Sequence, residues 1–327
     1  MRKKHNTAIV AAVTVFSLVL LTGCRELPGK EAADQQLEES LSSNSSTGFI
    51  ESLSMDLGGA AEDIGKGIAD AADIVQEAVQ DTAAELAEQI DENTLQQELT
   101  TSLPAGNSTK VHLDNAVGRV ELFSAQGDSI NVSATIVAHN PVTRTTDLKI
   151  IDNAEVSIEN EAGRLTVSTH SKDNPDKDLW TWAQKEYGHS EFSINYVIEI
   201  PATITTYDIT SNVGSIELNG LEGSFDVTSD VGTITLKNAV ITGKSKVQTD
   251  TGSIVLSLEG METGSSLKAS SDIGAIKASL AAGLKCTVKA SSELGSVSGA
   301  AEGKQDYNGG GPLLSLSTEI GAISVVQ

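Results

Sequence analysis

The sequence predicts a mainly β protein, a stack of about eight rungs preceded by an acidic α-helical segment. Three observations predict it. A Gly-centred segment recurs six times between residues 211 and 325, with glycines 18 to 26 residues apart. Within each copy, apolar and polar residues alternate with a period of two, the signature of a strand buried on one face. Upstream, over 56–98, the apolar period lengthens to the helical value.

Composition bounds the function first. The 327-residue chain carries a net charge of −23. Nucleic-acid phosphates need a basic patch, so nucleic acid is excluded as a partner. Adsorption on anionic lipid through protein charge is excluded likewise. Aromatics make up 3% of the residues and apolar residues 39%, so the core must be aliphatic. Two cysteines far apart exclude a disulfide framework and a Cys-based zinc site.

Arg2, Lys3 and Lys4 precede an apolar run over 8–22, which is short for a membrane-spanning helix. The run ends in Leu21-Thr22-Gly23-Cys24, which resembles the lipobox of bacterial lipoproteins. The resemblance implies cleavage after residue 23 and acylation of Cys24, with palmitate among the chains. Two or more acyl chains on one Cys anchor stably. The expected location is the extracytoplasmic face of the bacterial cell membrane. Residues 24–55, rich in Glu, Gln, Ser and Asn, then read as a flexible tether.

Over 56–98, Ile64, Ile68, Ala71, Val75, Val79, Ala83, Leu86 and Ile90 recur at steps of three and four. Acids fill most of the other face, and Lys66 is the only basic residue there. An interfacial membrane helix is rich in Lys and Arg, so this helix is not expected on lipid. It packs its stripe on the following domain or binds a partner.

The repeat occupies about 107–327. Its aligned glycines are Gly214, Gly232, Gly252, Gly274, Gly295 and Gly321, with weaker copies around Gly118 and Gly163. Two and four residues after each Gly stand mainly Ile, Leu and Val, which face one core and stack like on like. Cys286 shares the inward parity, whereas His112 is expected to face solvent. Two before each Gly stand Asn212, Asp230, Asp250, Asp272, Glu293 and Glu319, each preceded by Ser or Thr. This is turn chemistry, in which side-chain oxygens accept from nearby backbone N–H groups. The alternative is a row of oxygen ligands for Ca²⁺, although the glycine-rich nonapeptide of calcium-binding β-rolls is absent.

The repeat, the approach SINYVIEIPATIT (193–205) and the ending NGGGPLLSLSTEIGAISV (308–325) resemble the bacterial "putative adhesin" family. These are β-strand-repeat domains of unknown function, often carried on lipoproteins. The resemblance covers about 107–327 and implies a right-handed parallel β-helix-like solenoid. It brings no catalytic residues, no cofactor and no metal.

Residues 170–190 interrupt the repeat. Asn174-Pro175 reads as N-cap and first turn, and Gly188 as the stop, of a helix over about 175–187. Both tryptophans lie in it. Trp180 shares a face with Ala183 and Tyr187 and is expected to pack, leaving Trp182 exposed near His189. The helix is either a plug on the solenoid or an aromatic platform for a sugar ring or a peptide. Its candidate contacts are Trp180, Trp182, Tyr187 and His189.

Motifs for metalloprotease, redox, serine-hydrolase and dinucleotide chemistry are absent. Gly243-Lys244-Ser245 ends like a phosphate loop, but Asn238 stands where that motif needs its first Gly. The reading is a non-catalytic, lipid-anchored envelope protein whose solenoid binds or scaffolds, with cell-wall polysaccharide or an envelope protein as partner. A β-helical carbohydrate-active enzyme and an accessory of envelope-stress signalling are the alternatives.

Overall fold

The structure, a computed structural model, describes residues 95–139, 143–300 and 303–327. The leader, Cys24, the tether and the acidic helix as far as residue 94 lie outside the described residues. The last four positions assigned to that helix instead open strand β1 (Leu95–Pro104). Leu95, Leu99 and Leu103 are four apart, a spacing that fits helix and strand alike. Ten pairs with strand β4 (Ser129–Ala138) decide for strand. The β domain therefore starts about twelve residues earlier than expected.

Each rung is two strands meeting at a glycine corner. Seven corners are present among the described residues. Gly118 joins β2 (Lys110–Val117) to β3 (Val120–Ser124). The next four, Gly214, Gly232, Gly252 and Gly274, join β9 (Thr206–Val213) to β10 (Ile216–Asn219), β11 (Glu222–Val231) to β12 (Ile234–Ile241), β13 (Lys244–Thr251) to β14 (Ile254–Met261), and β15 (Ser266–Ile273) to β16 (Ile276–Leu280). Gly295 joins β17 (Cys286–Leu294) to β18 (Val297–Ser298), and Gly321 joins β20 (Leu313–Ile320) to β21 (Ile323–Val326). First strands pair in parallel with first strands, and second with second.

The in-register ladders follow from the repeat. Ile216, Ile234, Ile254, Ile276 and Ile323 are mutually paired and fully buried. Leu218, Leu236, Leu256, Ala278 and Val325 form the next ladder inward. From the other sheet come Ile209, Val227, Val247, Ala269 and Leu316. Tyr207 and Phe225 stack at 4.9 Å. No single rung could bury such a face; stacking supplies the core.

The corner requires glycine for two reasons. Its φ lies between +131° and +157°, a region closed to other residues. In addition, a Cβ on Gly232, Gly252 or Gly274 would stand 1.8 to 1.9 Å from the carbonyl oxygen of the preceding corner glycine. The Ser/Thr column bonds between rungs and not to local N–H groups as expected. Thr249 Oγ1, Ser271 Oγ, Thr318 Oγ1 and Ser292 Oγ each donate to a corner-glycine carbonyl one rung away. Asn115 takes the same place in the first rung and donates to Ile194 O.

Rung order departs from chain order. β20 lies between β15 and β17, and β21 between β16 and β18. The chain lays down the Gly295 rung as the end of the stack, then returns to fill the gap beneath it. The return runs through β19 (Gln305–Tyr307), antiparallel on β17, and the turn Asn308-Gly309-Gly310-Gly311. Asn308, Gly309 and Gly310 all have positive φ, and Asn308 Nδ2 donates to Ala282 O and Leu284 O.

At the opposite end the chain abandons the repeat. β8 (Phe192–Ile200) pairs parallel with β3 and antiparallel with β4. A helix absent from the sequence reading, α1 (Arg144–Asn153), leads into β5 (Ala154–Glu161), which pairs antiparallel with β6 (Arg164–Ser171). Gly163 is therefore no rung corner. With Ala162 at φ 50° and Gly163 at 82°, it closes a tight two-residue hairpin, a geometry that needs positive φ at both positions.

Gly252→Ala and Gly264→Ala separate these constraints. Gly264 has φ 89° and nothing within 4 Å of an added Cβ. Gly264→Ala should cost only the left-handed strain of about 1–2 kcal/mol. Gly252→Ala adds a backbone collision and should cost more than about 3 kcal/mol. Equal losses in denaturant unfolding would refute the stacked corner.

Candidate functional site

The solenoid wall is interrupted where β6 leaves β2. Pairing of β2 with β6 stops at Leu113 and Val167. Strand β7 (Asn174–Asp178) folds back onto the far end of β6, with His170 opposite Asp178. Between those two pairings a cleft of about 210 Å³ opens, lined by His112, Asp114, Thr166 to His170, Pro175 to Asp178, Trp180 and Tyr196.

Asn174-Pro175 lies in β7 and does not cap a helix. Helix α2 (Leu179–Tyr187) starts four residues later than the spacing predicts. Asp178 is its N-cap and accepts a hydrogen bond from Thr181 N at 2.8 Å. Gly188, at φ 68°, closes it as expected. Proline lacks an N–H, which an edge strand tolerates as readily as a helix start, so the Asn-Pro pair alone does not distinguish the two.

The helix packs against β6 and β7 with Leu179, Trp182 and Ala183 as its buried face, not the Trp180, Ala183 and Tyr187 face expected. Trp182 is the packed ring, 7% exposed, and meets Tyr187 edge-to-face at 5.6 Å. Trp180 is half-buried, stacks on Phe192 at 5.5 Å and donates from Nε1 to Phe192 O, and it lines the cleft. This reverses the expectation of a packed Trp180 and an exposed Trp182. His189 is turned away, 2.7 Å from the buried Asp147 of α1, whose other oxygen accepts from Thr143 Oγ1. The four candidate contacts therefore do not form one platform; of them, Trp180 lines the cleft.

Sequence reasoning missed the partners of Trp180. His112 does not stand free in solvent: its ring lies 3.3 Å from Asp114 and 3.1 Å from Asp208, and Arg164 holds Asp208 at 3.4 Å. His170 Nδ1 faces Ser171 O and so donates to it, and Nε2 lies 3.0 Å from Ser157 Oγ. Tyr196 donates to Thr169 Oγ1, and burial raises its phenol well above the usual range. A ring face, carboxylates and imidazoles at a cleft of this size suit a small hydroxylated ligand. The only sequence signal was the run His170-Ser171-Lys172-Asp173-Asn174-Pro175-Asp176-Lys177-Asp178, dense in charge where the repeat stops.

The carboxylate ladder runs along the glycine corners, and none of its members lines this cleft. Burial, and then the charge of Asp250 one rung away, raises the Asp230 carboxyl. Burial and then Asp272 raise Asp250, against the lowering influence of Gln248 and Lys246. Among the described residues no group of three or more His, Cys, Asp or Glu is arranged to hold a metal ion. No described helix is long and apolar enough to cross a membrane.

Residues 201–308 match the family model described as Toastrack DUF4097. The match falls within the repeat that carries the resemblance to the putative-adhesin family, and agrees with it. A comparison with curated proteins finds no match. Among solved structures, the chain is similar to a putative cell adhesion protein from Clostridium sporogenes, at 12% identity over 71% of this chain and 100% of that one, TM-score 0.40. It is similar to a putative adhesin from Bacteroides fragilis, at 14% identity over 70% and 97%, TM-score 0.38. A putative lipid binding protein from Parabacteroides distasonis follows at 13% identity over 71% and 97%, TM-score 0.26.

The ladder has a pH consequence opposite to that of a capping carboxylate. A carboxyl raised in the folded state holds its proton more tightly there than in the unfolded chain. Its contribution is most favourable below the unfolded value of about 4 and declines as pH rises through the folded value. Asp250→Asn should raise the melting temperature at pH 7 and have little effect near pH 4. A lower melting temperature at pH 7 would show that Asp250 is a cap after all. Trp182→Ala should lower stability by about 3–5 kcal/mol as a core truncation, and Trp180→Ala by clearly less; the reverse order in thermal melts would sink the assignment.

Proposed function

We propose that this chain is a lipid-anchored envelope protein whose β-solenoid is a binding surface, with the Trp180 cleft as its ligand site. Acylated Cys24 holds it on the extracytoplasmic face of the bacterial cell membrane, and residues 25–55 tether it. The coil is right-handed, in line with the general sense of parallel crossovers. The ligand is a neutral hydroxyl-rich one, such as a sugar unit of cell-wall polysaccharide. The observation that carries this is the placement of the half-buried Trp180 ring beside Asp114, Asp176, Asp178, His112 and His170 in one cleft. Carboxylates accept from hydroxyls, and an aromatic ring covers the apolar face of a sugar. The mature chain, more negative than −23 once three basic leader residues are gone, favours a neutral ligand over an anionic one.

A second reading comes from the same cleft. Asp114, Asp176, Asp178 and Lys177 cluster there with two histidines, as the site of a β-helical carbohydrate-active enzyme would. Release of reducing ends from isolated cell wall, lost in Asp178→Asn, would establish it.

Binding to isolated cell-wall material should fall at least tenfold in Trp180→Ala and stay unchanged in Asp226→Ala, an exposed position on the solenoid wall. Unchanged binding in Trp180→Ala refutes the cleft. Cys24→Ala should move the protein from the membrane to the soluble fraction, and inhibition of lipoprotein processing should leave an unprocessed precursor of the unaltered chain; retention of Cys24→Ala on the membrane at the processed mass refutes the anchor.

A further inference from the structure

One column of the repeat is apolar and yet stays out of the core. The residue just before each corner glycine is aliphatic at Val213, Val231, Ile273 and Ile320, with Thr251 among them, and Leu294 ends the row. These six pair rung to rung in register. The carbonyl of each accepts from the corner-glycine N–H of a neighbouring rung, which fixes the row. The five from Val213 to Ile320 are half-buried and Leu294 is 51% exposed. None of the aliphatic ones belongs to the core or packs on it. They form an apolar ridge along the outside of the corner. On one flank runs the carboxylate ladder, with Asp230, Asp250, Asp272 and Glu319. On the other, from Gly214 onward, the residue just after each corner glycine is Ser, Thr or Ala.

From this ridge we infer that the corner docks a basic amphipathic helix of another protein, laid along the stack with its apolar stripe on the ridge and its Lys or Arg residues over the carboxylate ladder. Charge selects the partner. The chain's own apolar stripe over 64–90 has acids on its other face and only Lys66 as a base, so it would set carboxylate against carboxylate. Anionic lipid is repelled for the same reason. A basic partner does the opposite. Burial and the charge of neighbouring rungs raise the carboxyls of Asp230 and Asp250, and cations along the ladder remove that repulsion. Spacing selects the helix. A helix brings one apolar and one basic side chain to a given face every turn, about 5.4 Å, close to the rung spacing of about 4.8 Å. An extended strand repeats a face every two residues, about 6.7 Å, and is out of step by the second rung. The row spans about 24 Å, so about 16 helical residues cover it.

The test is made with the full-length chain in its own cells. A photo-cross-linking aromatic residue in place of Thr251, in the middle of the ridge, should give an adduct with another protein. Its cross-linked peptide, read by mass spectrometry, should carry apolar residues every three or four positions with Lys or Arg along one side. The cross-linker in place of Asp272, exposed on the ladder, should give the same adduct, and in place of Ser279, exposed on the outside of β16, none. Thr251 shows that the stack accepts a hydroxyl in this row. Ile273→Thr with Ile320→Thr should therefore leave the melting temperature nearly unchanged and cut the Thr251-site adduct at least fivefold. Asp230→Asn with Asp250→Asn should cut it as much. Trp180→Ala should leave it unchanged, because the ridge and the cleft share no residue. No adduct from either ridge position, equal adduct from Ser279, or a partner peptide without the basic row overturns the docking surface. So does an adduct with a second copy of the chain or with its own residues 56–94. Full cross-linking in the Thr pair overturns the ridge, and in the Asn pair the selection by charge.

Discussion

At six of the seven described corners the Cα of one glycine lies against the carbonyl oxygen of a neighbouring corner glycine, and at Gly118 against that of Ile194, all at φ between +131° and +157°. That contact permits rungs to stack at the spacing of hydrogen-bonded strands, about 4.8 Å, while the chain turns from one sheet into the other. Everything periodic in the molecule is referenced to it. The isoleucine and leucine ladders are in register because they are counted from the same glycine. Thr249, Ser271, Ser292 and Thr318 of the hydroxyl column donate to the carbonyls that those glycines present, so these corner groups are satisfied between rungs and not within them.

The same periodicity creates a liability. A residue two before the glycine recurs at every rung, and here most of those residues are carboxylates. Stacked like charges, partly withdrawn from water, raise one another's proton affinity. The corner column thus opposes the stack it decorates. A feature that the apolar ladders easily outweigh is free to be kept for its charge, and it gives the solenoid one strongly acidic edge.

The cleft and the end of the stack are both places where the repeat fails. The cleft exists because β6 runs past the end of its pairing with β2 and receives β7 instead, leaving a gap that side chains from both line. The end is reached at the Gly295 rung, which is last in space though not last in sequence. Regular rungs are satisfied on both sides and offer little beyond side chains, and the cleft proposed as the ligand site lies at such an interruption.

The inward ladders, the buried Cys286 and the glycine corners were legible in the sequence, because strand parity is local and a twenty-residue period repeats it many times over. Gly188 as a helix stop was legible for the same local reason. Four things were not. Leu95, Leu99 and Leu103 fit two periods at once, and only β4 chose between them. Gly163 carries the rung pattern, but Ala162 beside it turned that segment into a hairpin. Asn174-Pro175 suits an edge strand and a helix start equally, and pairing with β6 moved the helix and with it the two tryptophans. The position of β20 between β15 and β17 has no trace in the chain order at all. Sequence by itself determined which side chains face inward at each rung, since that depends on two-residue alternation. Which rung lies beside which, and so where the stack opens a cleft or ends, was decided by tertiary pairing. Those contacts join residues far apart in the chain and carry no local signal.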